Sequence, residues 1–235
     1  MNGNLYLIPT TLGGENVNDV IPELVIRIIN QTRFYIVENV RTARRFLSKA
    51  GIETPIDSLT FFELNKHTSP EEYKEYLNPA MEGHHIGIIS EAGVPEVADP
   101  GAVMVQLAHS KNIRVVPLTG PSSIILALMA SGMNGQSFAF NGYLPIKKPE
   151  RAKAIKFYEK RSQQENQAQL FIETPYRNMA LLEDILVACD DNTKLCIAAD
   201  LTLASEYIQT MSVKEWKKIK PALHKRPAIF IIQRN

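Results

Sequence analysis

The sequence predicts an α/β protein of two domains, an N-terminal one with a mostly parallel sheet (residues 1–117) and a C-terminal one with a mixed sheet (118–235). Three observations carry this expectation. Short apolar runs alternate with helix-like runs from residue 4 onward, the pattern of a parallel sheet covered on both faces. After Gly132 the alternation restarts with a mixed pattern of its own. The chain of 235 residues, 45% of them hydrophobic, is long and apolar enough for two compact cores.

Taken in order, residues 4–9 (NLYLIP) read as a buried first strand followed by a glycine-containing loop, TTLGGEN. Val20 to Ile29 has apolar residues at helical spacing. Phe34 to Val37 is a short strand, and the helix after it runs to Ala50 and is closed by Gly51. Phe61 to Leu64 reads as a third strand. Thr68-Ser69-Pro70-Glu71-Glu72 is a helix start, with a polar cap, proline at the first position and acids in the first turn. In the second half, strands are expected at 137–141, 169–173, 195–199, 206–210 and 228–233. Helices are expected at 148–163, 175–188 and 213–219, and a turn at 142–145.

The stretch from His85 to Gly132 organises the rest. Ile86 to Ile89 enters a turn of Ser90, Glu91, Ala92, Gly93 and Pro95, and Asp99-Pro100-Gly101 opens a helix. Ile113 to Pro117 ends in Thr119-Gly120-Pro121-Ser122-Ser123, which opens another. Two strands thus end in small-residue turns that lead into helix N-termini, where ligands bind in open α/β sheets. Glycine lets the backbone come close to a ligand, and free N–H groups at the helix start can be aimed at it. Two domains whose strand ends face each other would put this stretch in a cleft between them.

Charge is unevenly divided. Residues 1–116 hold 10 Lys and Arg against 14 Asp and Glu, a net of −4, whereas residues 117–235 hold 16 against 11, a net of +5. A basic second half hints at an anionic partner. Cys189 and Cys196 sit in apolar surroundings without metal-ligand spacing, as expected of reduced, buried thiols. The first residues lack the basic and long apolar regions of a signal peptide, and no run approaches the ~18–20 apolar residues of a membrane span. The expectation is a cytoplasmic protein with no membrane segment. No pair among His67, His84, His85, His109 and His224 makes a metal pattern, and no metal is expected.

ISEAGVPEVADPG followed by VVPLTGPSSIILALMASGM resembles the signature pair of the tetrapyrrole-methylase-like S-adenosylmethionine methyltransferases. The branch it is most similar to is that of ribosomal RNA small subunit methyltransferase I, with S-D-A-G-T-P-x-x-x-D-P-G and V-P-x-P-G-P-S. LFIETPYRNMALLED (170–184) resembles that branch's I-F-Y-E-S-P-H-R-x-x-x-x-L-E-D, and FNGYLP (140–145) its F-E-G-F-L-P. The resemblance implies S-adenosylmethionine as cofactor, bound in the cleft between the domains, a ribose 2′-hydroxyl of 16S ribosomal RNA as acceptor, the ribosomal RNA or small subunit as partner, and a homodimer.

Residue by residue, the resemblance places Ala92, Gly93, Val94 and Val97 on the methionine and ribose side of the cofactor, with Ser122 and Ser123 as a hydroxyl pair and Pro9 at the end of the first strand. Glu173 is implied as a cofactor contact at the end of the family's apolar strand, and Leu201, Pro227 and Ala228 on the adenine side. Glu38, Asn39 and Arg41 match an E-D-T-R motif, and Glu91 stands where S-D-A-G has aspartate. Glu38 or Glu91 would either accept the proton of an attacking hydroxyl or hold a loop through N–H bonds. Arg41 would either bind a substrate phosphate or pair with Glu38. The cluster Lys147, Lys148, Arg151, Lys153, Lys156, Lys160 and Arg161 would either track a phosphate backbone or form a solvated helix face.

Beyond Asn39 and Glu91 for aspartates and Tyr176 for a histidine, the chain departs from that branch mainly at three places. P-I-G-N-L is Thr11-Leu12-Gly13-Gly14-Glu15, R-E-L-T-K is Ala199-Asp200-Leu201-Thr202-Leu203, and K-G-E is Arg226-Pro227-Ala228. These departures keep two alternatives open: a methyltransferase for a small molecule such as a tetrapyrrole, or a cofactor-binding protein that has lost catalysis. A dinucleotide-binding dehydrogenase would need G-x-G-x-x-G after the first strand, and Gly13-Gly14 lacks the third glycine.

Overall fold

The first five strands are short, β1 (Asn4–Ile8), β2 (Phe34–Val37), β3 (Thr60–Glu63), β4 (Ile86–Ile89) and β5 (Arg114–Pro117), and every pairing among them is parallel, in the order β3-β2-β4-β1-β5. The computed structural model describes residues 2–99 and 101–234; Pro100, expected in the turn before a helix, lies outside the described residues. Alternate residues serve opposite faces of the sheet. Ile8, Tyr35, Val37 and Ile89 pack on one face with Val25, Ile28 and Ile29 of α1 (Glu23–Gln31) and Ala43, Phe46 and Leu47 of α2 (Val40–Lys49). Leu5, Ile36, Ile86 and Ile88 pack on the other. They meet Ala80 of α4 (Asn78–Met81), which follows the one-turn α3 (Pro70–Tyr73), and Met104 and Ala108 of α5 (Ala102–Ser110). A parallel sheet buried on both faces needs continuous apolar strands, which is why IGII of β4 is buried throughout.

The chain divides into two compact units, Met1–Ser122 and Ser123–Asn235, and the second follows the first in sequence. The second unit contains α6 (Ser123–Ser131), β6 (Phe138–Tyr143), α7 (Lys148–Glu165), β7 (Ala168–Glu173), α8 (Asn178–Ala188), β8 (Lys194–Ala199), β9 (Tyr207–Ser212), α9 (Val213–Trp216) and β10 (Ala228–Gln233). Its sheet runs β6-β7-β10-β8-β9, with β6 and β7 parallel and the remaining pairs antiparallel. Phe171, Leu195, Ile197, Phe230 and Ile232 pack with Ile155, Leu182, Ile185 and Trp216 into one core, and α6 crosses β8, β9 and β10. Trp216 Nε1 donates to Leu195 O at 2.8 Å, so the buried indole is satisfied.

Several boundaries differ from the sequence expectation for local reasons. Residues 118–122, expected with the C-terminal domain, stay with the first unit: Leu118 N donates to Leu7 O at 3.1 Å, and the following turn packs on Pro9. α1 starts at Glu23 rather than Val20 because Pro22 holds an extended conformation at its cap. The turn expected at 142–145 begins inside β6, which runs to Tyr143 through a register shift after Phe140, with Gly142 at φ +65. The capping box at Ser69 and Glu72 forms as expected, yet its helix lasts one turn. Among the described residues no helix is long and apolar enough to cross a membrane, and no cluster of potential metal ligands is present.

Candidate active site

In the first unit, β1 lies between β4 and β5, so the loops leaving these three parallel strands emerge side by side. They are joined mainly through backbone. Thr10 N donates to Gly93 O at 2.9 Å, Ser90 Oγ donates to the same carbonyl, and the hydroxyls of Thr10 and Ser90 lie 3.4 Å apart. Gly93 has φ +75, and a Cβ there would lie 2.9 Å from both Leu12 Cδ2 and Pro121 O. A Cβ on Gly120 would fall well inside contact distance of Pro9 Cβ and Cγ. These two glycines are required by the close approach of three loops. Pro9 is buried within the cluster, Ala92 and Val97 are exposed, Val94 is half-buried, and Ser122 and Ser123 follow at the entry to α6. Glu96 and Ala98 also hold positive φ, at 72° and 63°. Such conformations cost roughly 1–2 kcal/mol each for residues with a Cβ and concentrate at functional loops.

An acidic group sits at the ends of β2 and β4. Glu38, Glu63 and Glu91 line a hollow of about 460 Å³ with Asn39, Asn65 and His67. Asn39 Oδ1 accepts from Arg41 N at 2.9 Å and Thr42 N at 3.3 Å, capping α2, a task that asparagine and aspartate perform equally well. Thr42 Oγ1 donates to Glu91 Oε1 at 2.6 Å, tying the loop after β4 to the start of α2. The Arg41–Glu38 pair that the sequence offered as one option is absent: among the described residues no ion pair forms at Arg41, whose side chain is exposed.

Sequence reasoning missed two members of this group, Glu96 and Asp99. Burial, then the charge of Asp99, pushes the Glu96 carboxyl up to about 7. Burial, then the charges of Glu38 and Glu91, pushes Asp99 up to about 6. Both Glu96 carboxyl oxygens are sealed from solvent with no hydrogen-bond partner among the described residues, and they crowd the Cα of Gly101. The signal that could have found them was three acids within the ten residues that follow a fully buried strand.

The second unit gathers Glu173, Leu201, Pro227 and Ala228 at one end of its sheet. Register sets Ala228 opposite both Glu173 and Ala199, and Asp200 N donates to Pro227 O at 2.9 Å. Glu173 is buried. Its Oε1 accepts from Thr174 N at 2.7 Å and from Arg177 Nη2 at 2.7 Å, while Oε2 is buried without a partner. Asp200 and Arg226, both at positions where the sequence departs from the resembled branch, form an ion pair at 2.7 Å. Ser205 Oγ adds a bond to Asp200, Arg226 Nη1 donates to Ala222 O at 3.1 Å, and the guanidinium lies 5.9 Å from the Tyr207 ring centroid. Asn178 Nδ2 donates to Arg226 O at 2.6 Å, fixing the same turn to α8.

No protein-family model matches the chain. Ribosomal RNA small subunit methyltransferase I of Buchnera aphidicola subsp. Schizaphis graminum is 30% identical over 98% of this chain and 78% of its own length. The enzymes of that name from Escherichia coli O157:H7 and Haemophilus influenzae are also 30% identical, over 98% and 99% of this chain and 78% and 79% of their own. The chain belongs to the ribosomal RNA small subunit methyltransferase I family. It is a methyltransferase, as the motif pair implied. The family's fold is also that of tetrapyrrole methyltransferases. The crystal structure of the methyltransferase CobJ matches with a TM-score of 0.63 at 14% identity, covering 99% of this chain and 94% of that one. Uroporphyrin-III-C-methyltransferase from Thermus thermophilus matches at 0.55 and 18%, covering 99% and 93%. The departures at Asp200 and Arg226 do not take the chain out of the ribosomal RNA small subunit methyltransferase I family; in this member they carry opposite charges that pair.

Proposed function

We propose that the chain transfers a methyl group from S-adenosylmethionine to a ribose 2′-hydroxyl of 16S ribosomal RNA. The observation that carries the cofactor assignment is the convergence of the loops after β1, β4 and β5 at the carboxyl ends of parallel strands, where Gly93 and Gly120 let the loops pack on Pro121 and Pro9. The buried, unpartnered Oε2 of Glu173 is a second feature fitting a polar ligand at the end of the other sheet. On this reading Pro9, Ala92, Gly93, Val94, Val97, Ser122 and Ser123 hold the methionine and ribose portions, and Glu173, Leu201, Pro227 and Ala228 the adenine. Bound S-adenosylmethionine supplies a methyl group on a sulfonium whose positive charge is lost on transfer. Alignment and exclusion of water therefore help more than a strong acid, which suits a site of backbone and small residues.

The attacking hydroxyl must lose a proton. Glu38 and Glu91 are the proposed acceptors, with Glu96 and Asp99 as neighbours whose raised carboxyls can share it. Arg41, exposed and without an ion pair, is assigned to a substrate phosphate. The acceptor is proposed from the names of the relatives, which are ribosomal RNA small subunit enzymes, and from the basic second half of the chain. Cytoplasmic action on the small subunit, as a homodimer, completes the reading.

The test is calorimetric titration with S-adenosylmethionine, followed by transfer of labelled methyl to small ribosomal subunits. One-site binding, lost in Gly93→Trp, with label in 16S RNA ribose is the expected result. Binding without transfer to RNA would overturn the acceptor, and no binding would overturn the cofactor.

A further inference from the structure

The α7 helix turns a buried side inward through Arg151, Ile155, Glu159 and Ser162. The opposite side carries Lys153, Lys156, Phe157 and Lys160, residues three and four apart that share one stripe. Phe157 is 61% exposed. Its ring meets Tyr158 edge-on at 5.2 Å, and Tyr158 meets the fully buried Phe171 of β7 at 5.3 Å. The exposed ring is therefore backed by aromatics that lead into the core.

Charge on this stripe is one-sided. The other cations of the cluster have partners: Arg151 and Lys148 with Asp184, Lys147 with Glu150, and Arg161 with Glu165. Glu159 is buried and accepts from Asp190 N and Thr193 Oγ1. Lys153, Lys156 and Lys160 face no carboxylate in ion-pair range among the described residues. Three cations without carboxylate partners around an exposed ring suit a polyanion that also offers flat faces for stacking.

We propose that this stripe is a binding surface for single-stranded RNA, with Phe157 stacking on an unpaired base and the three lysines set against the flanking phosphates. It rests on the reading that the acceptor is RNA and adds a contact made by residues other than those assigned to methyl transfer. An exposed aromatic within a lysine cluster is the means by which proteins hold single strands without reading sequence. Duplex RNA hides its base faces and cannot use the ring.

The experiment uses the full chain and a fluorescein-labelled single-stranded oligouridylate, with anisotropy read over a range of salt concentrations. Phe157→Ala should weaken binding about tenfold, and Phe157→Trp should restore it. The triple Lys153→Gln, Lys156→Gln, Lys160→Gln variant should lower the slope of log affinity against log salt by about 2. S-adenosylmethionine affinity should be unchanged in all of them, which also shows that they fold. Phe157→Ala binding like the parent, or a duplex of equal length binding as tightly as the single strand, would overturn the proposal. If the parent methylates small subunits while every variant binds and methylates equally well, the stripe falls and the acceptor reading stands. If the parent neither binds RNA nor methylates subunits, the acceptor reading fails and the stripe with it.

Discussion

In the first unit the loops after β1, β4 and β5 meet through carbonyls, amides and missing side chains: Thr10 N on Gly93 O, Pro121 O against the Cα of Gly93, Pro9 against Gly120. In the second unit the corresponding strand ends are tied by charged side chains, Glu173 to Arg177 and Asp200 to Arg226. Arg151 and Asp184 form a further pair behind them, nearly closed to solvent. Among the described residues only Arg44–Asp57 forms an ion pair in the first unit. The difference teaches what each region tolerates. A site made of backbone is sensitive to added volume and indifferent to charge, whereas a site held by ion pairs is sensitive to losing one partner.

That contrast can be broken by substitution. The largest stability effect belongs to the second unit. Asp184→Ala leaves Arg151 buried without its carboxylate, and chemical denaturation should show a loss of about 3–5 kcal/mol. A loss below that of an ordinary surface substitution would mean that Arg151 finds another partner and that ion pairs do not hold this unit. Next comes Gly120→Ala in the first unit, where one methyl group must displace Pro9; thermal unfolding should show a cost of about 2–3 kcal/mol and titration a lost cofactor site. Normal binding by this variant would remove the claim that close backbone approach makes the site.

Asp200→Ala should cost about 2 kcal/mol, less than Asp184→Ala, because Arg226 keeps carbonyl acceptors at Ala222 and Ser205. Because the turn it holds carries Pro227 and Ala228, weaker S-adenosylmethionine binding should accompany the loss, and Asp200→Glu should recover part of both.

A further effect concerns pH. The Glu96 carboxyl is raised from 4.5 to about 7, so in that window the folded chain keeps a proton that the unfolded chain has released. Stability from this group therefore falls as pH rises from 4.5 to about 7, and the full penalty persists above. Glu96→Gln should flatten its share of the melting-temperature profile across that window and raise the melting temperature on the alkaline side. Parallel profiles for parent and variant would show that the carboxyl ionises normally.

Much of the backbone was legible. Phe34 to Val37 was read as a strand to the residue, because four apolar residues between polar neighbours leave little else. The C-terminal end of α2 was equally clear: Gly51 sits at φ +72, the conformation that ends helices and favours glycine. The motif pair was enough to anticipate the family. Less legible were features set by distant neighbours. Glu91 meets Thr42 across 49 positions, and Asp200 meets Arg226 across 26, so two residues read as departures turned out to be partners. Gly120 and Pro121 looked like the start of the second domain until their packing on Pro9 and Gly93 assigned them to the first unit.

By itself the sequence determined the order of the strands, the helix ends at Ser69 and Gly51, the glycine turns and the family, because each depends on residues within a turn or two along the chain. Only the tertiary structure decided which carboxylates are pushed toward holding a proton and which charges are paired. Those properties depend on desolvation and on distance through space, and the acidic group of Glu38, Glu91, Glu96 and Asp99 has neither until β2 and β4 lie side by side.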